Sequence, residues 1–158
     1  MIGIVVHLED RWNYTQSDRD IDVVQMYEET VKALNADTFI IVDKTTGGML
    51  HNFESIDITY GKYGTLAEVL AAYPDATKLY FEHTNGIPAG AEYMSLDELA
   101  HPPDNVLYIV GGDECGLNFG EIALGENDKI VSILVSKYIL WTLATITMVM
   151  YDRHMKVS

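Results

Sequence analysis

The sequence predicts an α/β domain, a mostly parallel sheet sandwiched by helices, and three observations predict it. Short, β-branched apolar runs recur at Ile2–His7, Thr38–Val42, Lys78–His83, Val106–Val110 and Ile130–Val135. Each run is nearly continuous rather than alternating, the pattern of strands buried on both faces of a parallel sheet. Helical periodicity and capping signals fall between the runs, which implies right-handed crossovers and ligands at the carboxyl ends of the strands. Finally, 158 residues at 48% hydrophobic content suit one core without disulfide or metal staples. With no internal repeat, low-complexity tract or linker, a single domain over residues 1–158 is expected.

The elements follow in chain order. The first run lacks a basic flank and is broken at once by Glu9 and Asp10, so no secretory signal is expected. Beyond the polar segment Arg11 to Arg19, the residues Ile21, Val24, Tyr27, Val31 and Leu34 repeat at three- and four-residue spacing. They place an apolar stripe opposite Asp22, Glu28, Glu29 and Lys32, as in an amphipathic helix. Asp43 to Gly64 is the least regular stretch, and Gly47-Gly48 suggests a turn there. Thr65-Leu-Ala-Glu68 and Ser95-Leu-Asp-Glu98 have the form of capping boxes and predict helices beginning near Leu66 and Leu96.

The segment Ile130 to Tyr151 carries one formal charge, Lys137, over a length that can cross a bilayer. Lys137 falls near its middle, however, and Ser132, Ser136, Thr142, Thr145 and Thr147 add polar groups that lipid serves poorly. It divides into a strand, Ile130–Val135, and a helix from Tyr138 to His154 that closes in a polar Asp152-Arg153-His154 turn. A buried strand and a buried helix are expected, with a membrane-anchored protein as the alternative.

Ten Lys and Arg stand against 24 Asp and Glu, a formal charge of -14. That balance disfavours a protein gripping nucleic acid through a broad basic face. It leaves small ligands, protein partners, or RNA held in a locally basic groove. A hydrophobic, aromatic-bearing chain with 12 glycines and 4 prolines is neither disordered nor collagen-like. The single cysteine, Cys115, excludes a disulfide framework and a cysteine-rich zinc site. The five histidines, His7, His51, His83, His101 and His154, show no i, i+4 pair, so no metal is expected.

The most informative local feature is Val106-Leu-Tyr-Ile-Val-Gly-Gly-Asp-Glu-Cys-Gly-Leu117, a strand running straight into Gly111, Gly112 and Gly116. Glycine there permits left-handed backbone and close approach of a ligand to the amides. The run lacks the phosphate-loop pattern, and Asp113 and Glu114 repel anions, so a neutral or cationic ligand fits better. Taken alone, the turn is equally read as a strand-to-loop connection with glycines for geometry.

Its sequel adds information. The turn is followed by a second buried strand, Lys129 to Val135, a short loop at Ser136-Lys137-Tyr138 and a long apolar helix. That order resembles the SPOUT superfamily of RNA methyltransferases, whose members close with a strand, a Gly-Pro-Glu-x-x-Gly-Leu type loop, another strand, a loop and a helix. Here Gly111-Gly-Asp-Glu-Cys-Gly-Leu117 is similar to that loop, with Gly112-Asp113 at the usual Pro, and Tyr151-Asp152-Arg153 is similar to the helix end. Leu34-Asn35-Ala36-Asp37 resembles a turn of the archaeal tRNA 2'-O-methyltransferase branch.

The resemblance implies a C-terminal trefoil knot, S-adenosylmethionine as cofactor, a homodimer, and a tRNA or rRNA substrate methylated on the ribose 2'-oxygen in the cytoplasm. Carried over, the cofactor loops are Glu82-His83-Thr84, Gly111 to Gly116 (Gly111, Gly112, Glu114, Gly116) and Leu134 to Leu140 (Leu134, Ser136, Tyr138, Leu140). The chain departs from the family at the final helix, where Ile139-Leu140-Trp141-Thr142-Leu143 replaces a Ser-Leu-Asn-x-Ser pattern, and at Glu29, near the family's arginine. Thr142 is then the candidate hydroxyl, and Arg19 or Arg11 the candidate guanidinium, although either arginine is equally a surface cation beside Asp10, Asp18 or Asp20.

Other residues read more plainly. His83 is expected as a hydrogen-bonded loop histidine, and Cys115 as incidental for want of a histidine nearby in sequence. Trp141, Met148 and Met150 suit a core or dimer interface, while Trp12 and Tyr14, interleaved with arginines, suit either base stacking or packing on the sheet edge. Besides the methyltransferase, a catalytically inactive relative serving as an acidic binding or assembly protein is open.

Overall fold

The computed structural model describes residues 1–9, 17–44, 58–112, 116–134 and 142–157, with side chains from Val24 onward in the first helix. The elements are β1 (Ile2–Leu8), α1 (Ser17–Ala33), β2 (Thr38–Asp43), β3 (Thr59–Tyr63), α2 (Leu66–Ala72), β4 (Thr77–Phe81), β5 (Met94–Ser95), β6 (Val106–Val110), β7 (Lys129–Ser132) and α3 (Thr142–Val157). The strands form one sheet in the order β3-β2-β1-β6-β4-β7-β5. Every pairing is parallel.

Strand alternation divides the core between the two faces. On one face Ile4, Val6, Leu8, Phe39, Ile41, Leu79, Phe81, Tyr108 and Val131 pack under Val24, Tyr27 and Val31 of α1 and Ile146, Val149 and Met150 of α3. On the other Val5, Ile40, Val42, Tyr80, Leu107, Ile109 and Ile130 pack under Leu66 and Val69 of α2. This is the expected α/β sandwich. The trefoil knot expected in the C-terminal third depends on the path of residues 135–141, outside the described residues.

Local chemistry sets the helix ends. Thr65 Oγ1 accepts from Glu68 N at 3.2 Å, while the Glu68 carboxylate accepts from Gly64 N at 3.1 Å, so the first capping box starts α2 at Leu66 as expected. At the end of α1, Asn35 takes φ 63°; Ala36 N donates to Val31 O (3.1 Å) and Asn35 N to Lys32 O (3.0 Å). These are the two bonds of a Schellman motif with asparagine in the left-handed position. Asp37 Oδ1 then accepts from Ile2 N at 2.9 Å and fastens the start of β2 to β1.

Several expectations are corrected. The second capping box yields only a 3-10 turn, Leu96–Glu98, and Ser95 makes no side-chain cap. Ser95 is instead buried and paired with β7, and Pro102 forbids a helical His101. The third run leaves the ladder at Phe81 because His83 caps a 3-10 turn at Thr84–Gly86. The fifth run ends at Ser132, and Leu134 is exposed. Two strands lie outside the predicted runs: β3 is a partly exposed edge strand, and β5 has only two residues. Glu28, assigned to the solvent face of α1, is buried. The Asp152-Arg153-His154 segment is no solvated end either, for α3 continues to Val157 and Arg153 is buried.

Among the described residues no helix is long and apolar enough to cross a membrane. The same residues contain no cluster of three potential metal ligands.

Candidate functional site

The glycine turn leaves β6 at the carboxyl edge of the sheet, between β1 and β4. Parallel strands gather their carboxyl ends there, so the residues just beyond β1, β4, β6 and β7 share one rim. Gly116 has φ 63°, and its N–H donates to Gly112 O at 3.2 Å, closing the turn on itself. A Cβ on Gly111 would overlap the carbonyl group of Gly116. One on Gly112 would overlap the carboxylate of Glu9, and one on Gly116 that of Glu82. The glycines therefore serve closure at Gly111, and at Gly112 and Gly116 they admit two carboxylates from neighbouring strand ends.

Glu82, the first residue beyond β4, accepts from His83 N through Oε1 and from Leu117 N through Oε2, both at 2.8 Å. Its own N–H donates to Val131 O at 3.1 Å, keeping it beside β7. His83 Nδ1 accepts from Asn85 N at 3.1 Å, the hydrogen-bonded loop role expected of it, and Thr84 opens the short turn at the rim. Thr142, first residue of α3, is buried and donates from Oγ1 to Gly111 O at 3.0 Å. The start of the last helix thus touches the start of the glycine turn. Ser132, at the end of β7, is buried, and its hydroxyl has no partner among the described residues.

Of the expected site residues, Glu82, His83, Thr84, Gly111, Gly112, Gly116 and Thr142 lie at this rim. Leu134 follows β7 and is 55% exposed. Arg19 falls in the first turn of α1. Arg11, Glu114, Cys115, Ser136, Tyr138 and Leu140 lie outside the described residues, as do Trp12, Tyr14 and Trp141. Sequence reasoning missed Glu9 as a neighbour of the turn. Its signal was a carboxylate ending an apolar run in a chain whose glycine turn leaves the adjacent strand.

His7, near the end of β1, was also passed over. It is buried, and its Nδ1 lies 2.8 Å from Val110 O, which as a carbonyl can only accept, so Nδ1 carries the proton. Burial pushes its pKa down to about 4, against the bond to Val110, with Lys44 lowering it further and Glu121 opposing. His7 is neutral at physiological pH and joins the last residue of β6 to β1.

An all-parallel α/β sheet with a self-closed glycine turn at its carboxyl rim, bound to the final helix, defines a class of fold. Solved structures that superpose on this chain include methyltransferases. The probable methyltransferase of Bordetella pertussis Tohama I superposes with TM-score 0.66 at 11% identity, covering 99% of this chain and 96% of its own. A structure addressing 2-OH methylation of C/U34 on tRNA matches with TM-score 0.64 at 16% identity over 99% of this chain and 91% of that one. An AdoMet-bound rRNA methyltransferase from Sinorhizobium meliloti matches with TM-score 0.62 at 12% identity over 99% of this chain and 57% of that one. At these identities the likeness is one of fold. No protein-family model matches the sequence, and no curated protein matches it.

Proposed function

We propose that this protein is a divergent SPOUT-type, S-adenosylmethionine-dependent RNA methyltransferase that methylates the ribose 2'-oxygen of tRNA or rRNA. The observation carrying this reading is the glycine turn at the carboxyl rim of a fold shared, nearly end to end, with a probable methyltransferase and with a structure addressing 2-OH methylation of tRNA. The residues of the rim suit the cofactor. Backbone groups of Gly111, Gly112 and Gly116, apolar walls, and the unpartnered Ser132 hydroxyl provide hydrogen bonds and surface for a nucleoside. Glu9 and Glu82 would repel a phosphate and tolerate a sulfonium cation.

When bound, S-adenosylmethionine supplies an electrophilic methyl group on a sulfonium sulfur. The chain's part is to align the ribose hydroxyl, take or polarise its proton and exclude water. Gly111, Gly112, Glu114 and Gly116 form one proposed wall; Glu82, His83 and Thr84 a second; Leu134, Ser136, Tyr138 and Leu140 a third. Arg19 and Arg11 are proposed to act on the ribose. Thr142, proposed beside them, acts by holding Gly111 through its hydroxyl. A single domain with a trefoil knot, working as a cytoplasmic homodimer, completes the proposal. Tyr151 and Met155, each 61% exposed on the outer side of α3, support the dimer.

A second reading, an inactive protein of this fold acting as an acidic binding or assembly protein, is favoured by one observation. Lys32, Lys78, Arg153 and Lys156 are all bonded within the chain, which leaves an already acidic protein fewer cations for RNA.

Calorimetric titration with S-adenosylmethionine tests the first reading. Binding is expected in the wild type and lost in Gly111→Ala, whose methyl group would pry the turn from Gly116. Absence of wild-type binding at millimolar ligand overturns it. Transfer of labelled methyl to RNA, with a gap at one nucleotide in the alkaline cleavage ladder, then separates ribose from base methylation and the active enzyme from the inactive relative.

A further inference from the structure

We infer that Glu82 is the positioning residue that sets cofactor affinity by holding two walls of the site at a fixed separation; the inference rests on the methyltransferase reading above. Its carboxylate joins the adjacent His83 N at the β4 rim to Leu117 N, 35 residues beyond Glu82, at the exit of the glycine turn. A Cβ on Gly86 would come within 2.7 Å of it, and one on Gly116 would overlap it, so both walls are cut back to glycine around this one side chain. Thr142 fixes the turn's entry through Gly111 O, and Glu82 fixes its exit. Both anchors are bonds within the chain, and a site held by its own bonds spares the ligand the cost of ordering it.

The chemistry requires a carboxylate. Two backbone N–H groups meet the two different oxygens of the side chain, and a carboxylate offers an acceptor at each. Glutamine has the same shape but one carbonyl oxygen, so its NH2 must face one of the two donors. Aspartate has the charge but is one methylene too short to keep both bonds. Bonds to a charged acceptor are the stronger kind.

The test compares wild type, Glu82→Gln and Glu82→Asp by calorimetric titration with S-adenosylmethionine and with its neutral thioether product, alongside amide hydrogen exchange at Leu117. Each variant is expected to lose about tenfold in affinity for both ligands, the scale of one charged hydrogen bond. Leu117 is expected to lose protection in each variant. Variants that remain folded and bind both ligands within about twofold of wild type would overturn the inference while leaving the methyltransferase reading intact. Loss confined to the sulfonium ligand would also overturn it, since that outcome makes Glu82 a charge partner instead of a spacer. A wild type that binds neither ligand sinks the reading itself, and the inference with it.

Discussion

The two ends of β6 are held in different ways. At its carboxyl end the glycine turn is held through backbone groups, with Glu82 and Thr142 each bonded to main chain. At its amino end charged and aromatic side chains bond to one another as well as to main chain. His101 Nδ1 lies 2.8 Å from Tyr108 Oη, and His101 Nε2 lies 2.8 Å from Asp152 Oδ2. Arg153 donates to Tyr108 Oη (2.9 Å), Pro102 O (2.5 Å) and Pro103 O (2.8 Å). Lys156 donates to Leu96 O at 2.9 Å, Asp97 O at 2.8 Å and Leu99 O at 3.3 Å, and pairs with Asp152.

The proton positions follow from the partners. Asp152 only accepts, so His101 carries its proton on Nε2; Nδ1 then accepts from Tyr108, whose oxygen accepts from Arg153. The bonds at this end are made by side chains of particular charge and length, so residue identity matters there. The other end asks mainly for small residues and correct backbone, so its sequence can drift as long as its shape is kept. Helix α3 joins the two, beginning on Gly111 and ending on the segment Leu96–Pro103.

The largest expected effect that separates the ends comes from Arg153→Ala. It strips the donor from two proline carbonyls and from Tyr108, and removes a guanidinium 5.9 Å from the Tyr108 ring centroid. Leaving the buried Tyr108 hydroxyl and two part-buried carbonyls unmatched, and emptying the space of a buried side chain, should cost about 3 kcal/mol. For a chain this size that lowers Tm by roughly 10 °C. Cofactor affinity of the folded protein is expected to stay within about twofold, because the lesion lies at the far end of α3. Calorimetric titration below the new Tm checks this, and a large loss of affinity would show that the ends are not separable.

Acid tests both ends at once. Burial lowers the pKa of His101, against the raising effect of Asp152, as it lowers that of His7 to about 4. For Asp152 burial works upward but is outweighed by hydrogen bonds from Lys156 and His101, so its pKa falls. A histidine with a depressed folded pKa binds fewer protons folded than unfolded. Its contribution is complete above pH 6.5 and is lost as pH falls toward the folded value, while Asp152 adds a loss in the same direction at still lower pH. From His7 alone the loss at pH 5 is about 2 kcal/mol. Urea unfolding at pH 7.5 and pH 5 should therefore show a lower midpoint in acid. Equal midpoints would mean that neither histidine is buried neutral.

The same division explains what could be read from the sequence. Central strands announce themselves because both faces are buried, so β1, β2, β4, β6 and β7 appear as unbroken apolar runs. Edge strand β3, Thr-Tyr-Gly-Lys-Tyr, is partly exposed and carries no such run. The Thr65 box works because its partner lies three residues away, whereas the Ser95 box is overruled by strand pairing and by Pro102. Gly111, Gly112 and Gly116 were legible as a tight turn because a backbone requirement selects one residue type. Arg153 and His101 were not legible, since the partners of Arg153 and the Asp152 partner of His101 lie 45 to 51 residues away and nothing local marks a buried arginine.

The smallest effect makes the sharpest comparison, because the end of α1 and the glycine turn share one left-handed φ. Asn35 and Gly116 both sit at φ 63°. At Gly116 the missing side chain makes room for Glu82, so asparagine there would tolerate the backbone and still collide. Asn35 closes α1 with an exposed side chain, and its position asks only for the left-handed conformation. Replacing Asn35 with glycine relieves the residual cost of a Cβ in that conformation and adds some freedom to the unfolded chain. The net expectation is a gain of about 0.5 kcal/mol, or roughly 1–2 °C in Tm, with cofactor affinity unchanged. The reciprocal Gly116→Asn should instead reduce affinity by displacing the Glu82 carboxylate from Leu117 N, with only a modest loss of Tm. If both substitutions moved Tm and affinity together, the glycine of the turn would be serving conformation alone, and its role in admitting Glu82 would fall.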